Sequence, residues 1–205
     1  MNASFWNERY KEEGFAYGSE PNEFIASELM KLNPGKILLP AEGEGRNAAY
    51  ALQLGWKVDA FDMSIAGRDK ALLLAGDNAA NLYYDVCDAE SFIQGAVAEY
   101  DAIAFCFTHF PGPKRVEEHK ALAALVKPGG IAIMEVFAKG HTEYNAIDPR
   151  VGGPKEESML FDSKEAMEIF NGFELSLCEE REVHLQEGKY HIGLGKVLRV
   201  VAKRI

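Results

Sequence analysis

The chain has 205 residues, is 47% hydrophobic and 26% charged, and carries a formal net charge of −10. That balance suits a soluble globular fold of one domain over residues 1–205 and argues against a protein that grips a nucleic acid backbone, which calls for a basic surface. The start, MNASFWNERYKEEG, has acids and no apolar core, and no apolar run nears the roughly 20 residues that span a bilayer, so neither a signal peptide nor a membrane partner is expected.

Residues 4–13 and 21–32 read as two helices around the turn GFAYGSEP, a helical cap segment over 1–33. Ser19 or Glu20 ahead of Pro21 fits the second helix start, with proline in the first turn. From residue 34 strand-like and helix-like stretches alternate. Ile37–Pro40 reads as a strand, Arg46–Leu54 as a helix closed by Gly55, and Lys57–Phe61 as a strand. Ser64–Ala75 reads as a helix with Ser64 as N-cap. Asn81–Val86 and Tyr100–Phe107 read as strands and Pro113–Val126 as a helix, after which KPGG turns into the strand Ile131–Val136. A long loop, 138–160, precedes the helix FDSKEAMEIF, capped by Asp162 or Ser163. Two long strands, 173–184 and 189–203, close the chain around LQEGKY. Such alternation implies an α/β fold: a doubly wound, Rossmann-like sheet of about seven strands over 34–205, mostly parallel, with an antiparallel strand from the C-terminal hairpin and helices on both faces. In such sheets ligands sit outside the carboxyl ends of the strands. The three scattered cysteines, Cys87, Cys106 and Cys178, point to a reducing, cytoplasmic setting rather than a disulfide scaffold.

The turn after the first strand, PAEGEGRNA, has the spacing Gly43-x-Gly45-x-x-Ala48, which lets the backbone bend tightly and approach a nucleoside ligand. Asp62 ends the second strand where an acid takes ribose hydroxyls. A dinucleotide brings a pyrophosphate, which the acids Glu42 and Glu44 would oppose. They suit a ligand with a cationic near end, such as S-adenosylmethionine, and Asp88 adds a third acid to the same rim.

Taken in order, FWNERY with YGSEPNEF, GEGRNA, VDAFDMS, DVCDAE, YDAI, VKPGG, GGPK and EGKYHIG span nearly the whole chain. In these stretches the sequence resembles the class I S-adenosylmethionine-dependent methyltransferases, and among them the small tellurite-resistance and thiol-methyltransferase-like group. The resemblance implies S-adenosyl-L-methionine as cofactor, S-adenosyl-L-homocysteine as product, and a small-molecule methyl acceptor. It implies that Ala41, Glu42, Gly43, Glu44 and Gly45 wrap the methionine part, with Arg46 and Asn47 near its carboxylate. Asp62 would bind the ribose, Met63 and Ser64 would line the adenine, and Cys87, Asp88 and Ala89 would meet its edge. Phe105 and Phe107 would form the floor under the sulfonium. The family carries an acid at the position of Leu39, and often glycine and cysteine where Ala41 and Glu42 stand; Glu42 is then expected to replace the missing acid.

Methyl transfer needs positioning and exclusion of water more than a catalytic signature. A thiolate, a chalcogen oxyanion or a similar soft nucleophile needs little else, whereas a hydroxyl needs a base. The stretch CFTHFP after the fourth strand lacks an amine clamp of the Asn-Pro-Pro-Tyr type, which speaks against a nucleic acid base as acceptor. His109, His184, His191 and Tyr17 are the candidates for acceptor contact or proton handling. His184 falls where the tellurite-resistance branch carries a functional histidine. His119 reads as a solvated helix residue, His141 as a weak candidate, and Cys106 as a small packed hydrophobe. Trp6 and Tyr10 read as packing or as aromatic cover for a sulfonium, and Arg150 and Lys155 as solvated loop charges. His184 and His191 are spaced poorly for a metal, and none is expected. An NAD-dependent oxidoreductase and a non-catalytic S-adenosylmethionine-binding protein are the alternatives, and a monomer or homodimer is expected.

Overall fold

A computed structural model describes residues 2–97, 99–110 and 112–205. Two short helices lead: α1 (Ala3–Tyr10), capped by the Asn2 side chain, and α2 (Glu23–Leu29), capped by Asn22. The second helix therefore starts after Pro21 rather than at it, because the Asn22 carboxamide accepts from the Ile25 N–H and satisfies a free donor. Next come β1 (Lys36–Pro40), α3 (Arg46–Gln53), β2 (Lys57–Asp62) and α4 (Ile65–Ala75). They are followed by β3 (Leu82–Val86), α5 (Ala89–Gly95), β4 (Tyr100–Cys106) and α6 (Arg115–Ala123). The last part holds β5 (Val126–Phe137), α7 (His141–Ile147), α8 (Ser163–Ile169), β6 (Phe173–Glu187) and β7 (His191–Arg204).

The strands form one seven-stranded sheet in the order β3-β2-β1-β4-β5-β7-β6. All are parallel except β7, which runs antiparallel between β5 and β6. The order reverses between β1 and β4, which makes their carboxyl ends the expected place for a ligand. Alternate residues of β1 feed two apolar layers. Ile37 and Leu39 join Ala48, Leu52 and Trp56 on the α3 side, and Leu38 joins Phe105, Leu122 and Phe170 on the other. Burial on both faces explains why the stretch ILLP after Lys36 is apolar throughout instead of alternating.

Three elements differ from the sequence expectation. The helix α5 stands where none was expected; Ala89, Phe92 and Ile93 face the core at helical spacing, but seven residues are too short a window for that period to stand out. The 138–160 stretch is no single loop, since it holds α7 and two 3₁₀ turns, Pro149–Val151 and Glu157–Met159. KPGG lies inside β5, where the pairing jumps from Tyr100–Val126 to Ala102–Ile131 and lets the extra residues bulge out. Among the described residues no helix is long and apolar enough to cross a membrane.

Candidate functional site

The carboxyl ends of β1, β2, β3 and β4 open onto a cavity of about 790 Å³. It is covered by α1, by the 12–18 segment, and by residues of the 138–160 stretch. Each strand contributes a different kind of group.

After β1 the chain turns through three left-handed residues, Ala41 (φ 50), Gly43 (φ 62) and Gly45 (φ 84). Both glycines are required by the fold rather than by the cavity, which neither lines. A Cβ on Gly43 would lie 2.6 Å from the Tyr10 hydroxyl, and one on Gly45 2.4 Å from Ala71 Cβ. Tyr84 secures the turn by donating from its hydroxyl to the Gly43 carbonyl at 2.6 Å.

The two acids of this turn have separate tasks. Glu42 is buried at the cavity wall and accepts from the Ala48 N–H at 2.7 Å, which caps α3. Burial pushes its pKa up to about 7 against the effect of that hydrogen bond. Glu44 accepts from the Ala16 N–H at 2.7 Å and pairs with Lys70 at 2.8 Å. The cation that Glu44 faces is therefore the protein's own lysine, and its task is to strap the N-terminal segment over the turn. Leu39 is buried in the apolar layer; Glu42 and Glu44 both line the cavity, and of the two only Glu44 is paired with a lysine, which leaves Glu42 as the acid the turn can offer a ligand.

At the end of β2, Asp62 lines the cavity and accepts from the Gly43 N–H at 3.2 Å and the Ser64 N–H at 2.9 Å. Burial raises its pKa to about 6 in spite of these donors. Met63 lines the cavity beside it. Ser64 does not, and its hydroxyl is used twice: it caps α4 at Gly67 and donates to Asn7. After β3, Cys87, Asp88 and Ala89 lie along the cavity. Asp88 is the N-cap of α5 and accepts from the Ser91 N–H at 2.8 Å with one oxygen. Burial raises the Cys87 thiol to about 11, which keeps it protonated.

The end of β4 corrects another expectation. Phe105 is wholly buried in the layer with His119 and Phe170 and does not reach the cavity. Phe107 does, because its backbone is left-handed (φ 48) and breaks the strand alternation. Cys106 lines the cavity with its thiol against Arg46 at 3.7 Å, and burial raises its pKa strongly. Pro111, the last residue of CFTHFP, lies outside the described residues.

Opposite this rim stands a wall joined by buried charges that sequence reasoning missed. Glu187, at the end of β6, accepts from Arg46 Nη2 at 3.0 Å, from Asn22 Nδ2 at 3.0 Å and from His191 Nδ1 at 2.9 Å. Asn22 also donates to Glu135 at 2.6 Å, and Glu135 pairs with Arg199. Arg46 is thus held by Glu187 and the Tyr17 carbonyl, and Asn47 by the Asn22 N–H, although both line the cavity. Tyr17 lines it too; its hydroxyl accepts from Arg9, whose guanidinium covers the Tyr190 ring at 3.7 Å. Trp6 stacks on Tyr10 at 5.4 Å along the same edge. Lys155 reaches the cavity lining, whereas Arg150 is exposed and paired with Asp148. One signal in the sequence pointed to this wall: Glu187 and His191 flank a three-residue turn and face each other across it.

Of the five histidines, the structure spreads rather than gathers the candidates. His184 is exposed on β6 opposite Leu194, away from the cavity. His109 lines the cavity, but one ring nitrogen faces the Met159 carbonyl at 3.0 Å and the other accepts from the Phe137 N–H at 3.2 Å. Burial presses its pKa down to about 3, so it serves as a neutral strut. His119 is fully buried between the Arg115 and Thr108 carbonyls, not solvated. His141 is buried with both nitrogens engaged, at the Gly152 carbonyl and the Lys196 N–H. His191 lines the cavity between Tyr17 and Phe107, each with its ring 4.5 Å away. Among the described residues no cluster of His, Cys, Asp and Glu is arranged to hold a metal ion.

No protein-family model matches the chain, and no curated protein matches it. Its fold is shared with solved structures. TehB from Haemophilus influenzae superposes with a TM-score of 0.70 at 17% identity, covering 99% of this chain and 67% of that one. A SAM-dependent methyltransferase from Anabaena variabilis gives 0.69 at 17% identity, covering 99% and 93%. A protein from work on the conversion of a disulfide bond into a thioacetal group during echinomycin biosynthesis gives 0.72 at 17% identity, covering 98% and 92%.

Proposed function

We propose that the chain is an S-adenosyl-L-methionine-dependent methyltransferase acting on a small-molecule acceptor. The observation that carries this reading is a pair of buried carboxyl groups, Glu42 and Asp62, on a cavity at the point where the strand order reverses. Both are pushed up by burial to about 7 and 6, so a cation beside them is favoured and a pyrophosphate opposed. The donor set fits the cofactor. Asp62 offers carboxylate oxygens where a ribose would lie, Met63 and Ala89 offer apolar contact for a base, and Asp88 offers a carboxylate on the cavity edge to an amino group. Glu42 stands nearest the turn, where a cationic methionine end would be received. S-adenosylmethionine, when bound, supplies a methyl carbon activated by a positive sulfur. The chain itself orients the reactants, excludes water under α1 and the 12–18 segment, and places Phe107 and Tyr17 on the acceptor side.

The likeness of fold to TehB supports placing the chain near the tellurite-resistance and thiol-methyltransferase-like group, with a thiol, chalcogen oxyanion or other soft nucleophile as acceptor. The acidic balance supports a catalyst that works without nucleic acid or an anionic membrane surface, and the proposal is completed by a single domain acting as a monomer or homodimer. Calorimetric titration of cofactor-stripped protein with S-adenosylhomocysteine and with NAD tests the reading. Binding of the first near the micromolar range, at about −8 kcal/mol, and none of the second is expected. Failure to bind the first overturns it. Glu42→Gln, which keeps the hydrogen bond to Ala48, should weaken S-adenosylhomocysteine about tenfold; unchanged affinity would mean that Glu42 does not stand in for the acid missing at Leu39.

A further inference from the structure

The methyltransferase reading leaves open who takes the acceptor's proton. Four of the five histidines are spoken for: His109, His119 and His141 have both ring nitrogens at backbone partners, and His184 lies outside the cavity. His191 alone is built differently. Its Nδ1 meets the Glu187 carboxylate at 2.9 Å. Arg46 and Asn22 hold the same carboxylate. Burial opposes the charge, yet His191 and Arg46 bring Glu187 down to about 2, so it is ionised. A carboxylate only accepts, so the proton of the neutral imidazole sits on Nδ1 and the lone pair on Nε2. Nε2 has no hydrogen-bond partner among the described residues and lies beside Gly152, whose absent side chain leaves the approach open: a Cβ there would stand 3.3 Å away. Around it are the rings of Tyr17, Phe107 and Phe137, the last at 5.2 Å. Phe107 reaches this place only through its left-handed backbone, a strained conformation of the kind kept at working sites.

We propose that His191, positioned by Glu187, is the general base of the reaction, and that the acceptor is a planar ring bearing a neutral hydroxyl or thiol. The proposal rests on the methyltransferase reading and narrows it, since a preformed oxyanion would give His191 nothing to do. A lone pair of the acceptor oxygen or sulfur forms the bond to the methyl carbon. The carbon–sulfur bond of S-adenosylmethionine breaks, and its electron pair stays on sulfur as the neutral thioether of S-adenosylhomocysteine. The acceptor proton moves to His191 Nε2, and the imidazolium, facing Glu187, later gives it to water. The charged and titratable groups around the ring are Glu187 on its own hairpin, Tyr190 in the turn, Arg46 from α3, Arg9 from α1, Tyr17 from the N-terminal segment and His141 from α7. Burial and the two arginines favour the neutral ring, which Glu187 partly offsets.

Nitrogen-15 NMR of histidine-labelled protein reads the tautomer directly, without any acceptor. The Nδ1–H form is expected for His191 and loosened in Glu187→Gln; an Nε2–H form in the wild type overturns the proposal. Methylation is then compared on phenol and on thiophenol at a pH acid enough for each to keep its proton, and on para-nitrophenol at a pH where it is already ionised. His191→Asn should lower kcat/KM on phenol by about 10²-fold or more, and by at least about tenfold less on the ionised acceptor. Equal losses on both would make His191 a wall rather than a base. Glu187→Gln should move the acidic limb of the phenol profile to lower pH, because the carboxylate that raises the His191 pKa is gone, while rate at the plateau falls. S-adenosylhomocysteine binding and melting are measured on every variant, and His191→Gln is the second variant if His191→Asn does not fold. Wild type that binds S-adenosylhomocysteine but methylates neither phenol nor thiophenol overturns the acceptor class. Wild type that does not bind it overturns the methyltransferase reading instead.

Discussion

The cavity has two walls, and they are held by different means. On the strand-end wall, acids meet backbone N–H groups: Glu42 meets Ala48 from the same turn, and Asp62 meets Ser64 beside it and Gly43 in the turn after the neighbouring strand. On the hairpin wall, side chains meet side chains from distant parts of the chain: Glu187 joins Arg46, Asn22 and His191, and Asn22 joins Glu135. The first wall forms once β1, β2 and their turns are in place. The second exists only when the last hairpin has docked against α2 and α3. A wall made of backbone donors tolerates loss of one side chain; a buried ion network does not, because each removal strands a charge.

The largest effect should therefore come from Arg46→Met. It removes the guanidinium that faces Glu187 and should lower stability by about 3–5 kcal/mol in urea denaturation, the range for breaking a buried pair. Adding Glu187→Met should recover part of that loss, since the stranded charge goes with it. A loss no greater than the roughly 1 kcal/mol of an exposed pair would erase the distinction between the walls.

The next effect sits on the other wall and depends on pH. Folding raises the Glu42 pKa from its ordinary 4.5 to about 7. The folded protein thus binds this proton more tightly than the unfolded chain, so the stability it contributes is full below pH 4.5 and is lost as pH rises through 7. At about 1.4 kcal/mol per pH unit, the wild type should lose roughly 3 kcal/mol across that window relative to Glu42→Gln. Denaturation midpoints of the two proteins from pH 4 to 8 check this; parallel profiles would mean that the buried acid does not titrate there.

The same contrast governs what could be read in advance. The alternation of strands and helices, the Gly43-x-Gly45 bend, Asp62 and the Ser64 cap are local patterns, and the sheet follows from them. Residues whose place depends on tertiary contact were not legible. Ser64 reads as a cavity residue until its hydroxyl is seen to be spent on Gly67 and Asn7. Strand alternation puts Phe105 and Phe107 on one face, and only the left-handed Phe107 separates them. His119 follows two glutamates and looks solvated, yet it shares a buried face with Arg115, Leu122 and Ala123, at helical spacing. The wall around Glu187 has no local signature beyond the short turn that pairs it with His191.

The smallest effect compares two left-handed residues of the strand-end wall, of which only Phe107 packs against the hairpin wall, at His191. Ala41 (φ 50) and Phe107 (φ 48) are the non-glycine residues with positive φ among the described residues. Such a backbone costs an ordinary residue about 1–2 kcal/mol. At Ala41 only a methyl group is lost on going to glycine, while the unfolded chain gains freedom worth about 0.4–1 kcal/mol. Ala41→Gly should therefore stabilise by about 0.5–1 kcal/mol, read as a rise in the urea midpoint. Phe107→Gly relieves the same backbone, but it also removes a ring that packs on Phe137 at 4.6 Å and on His191 at 4.5 Å, so it should destabilise. Opposite signs would mean that the strain at Ala41 is incidental to the turn, while the strain at Phe107 is spent on placing an aromatic wall beside His191. A gain at both positions would remove the reason for a bent strand end at Phe107.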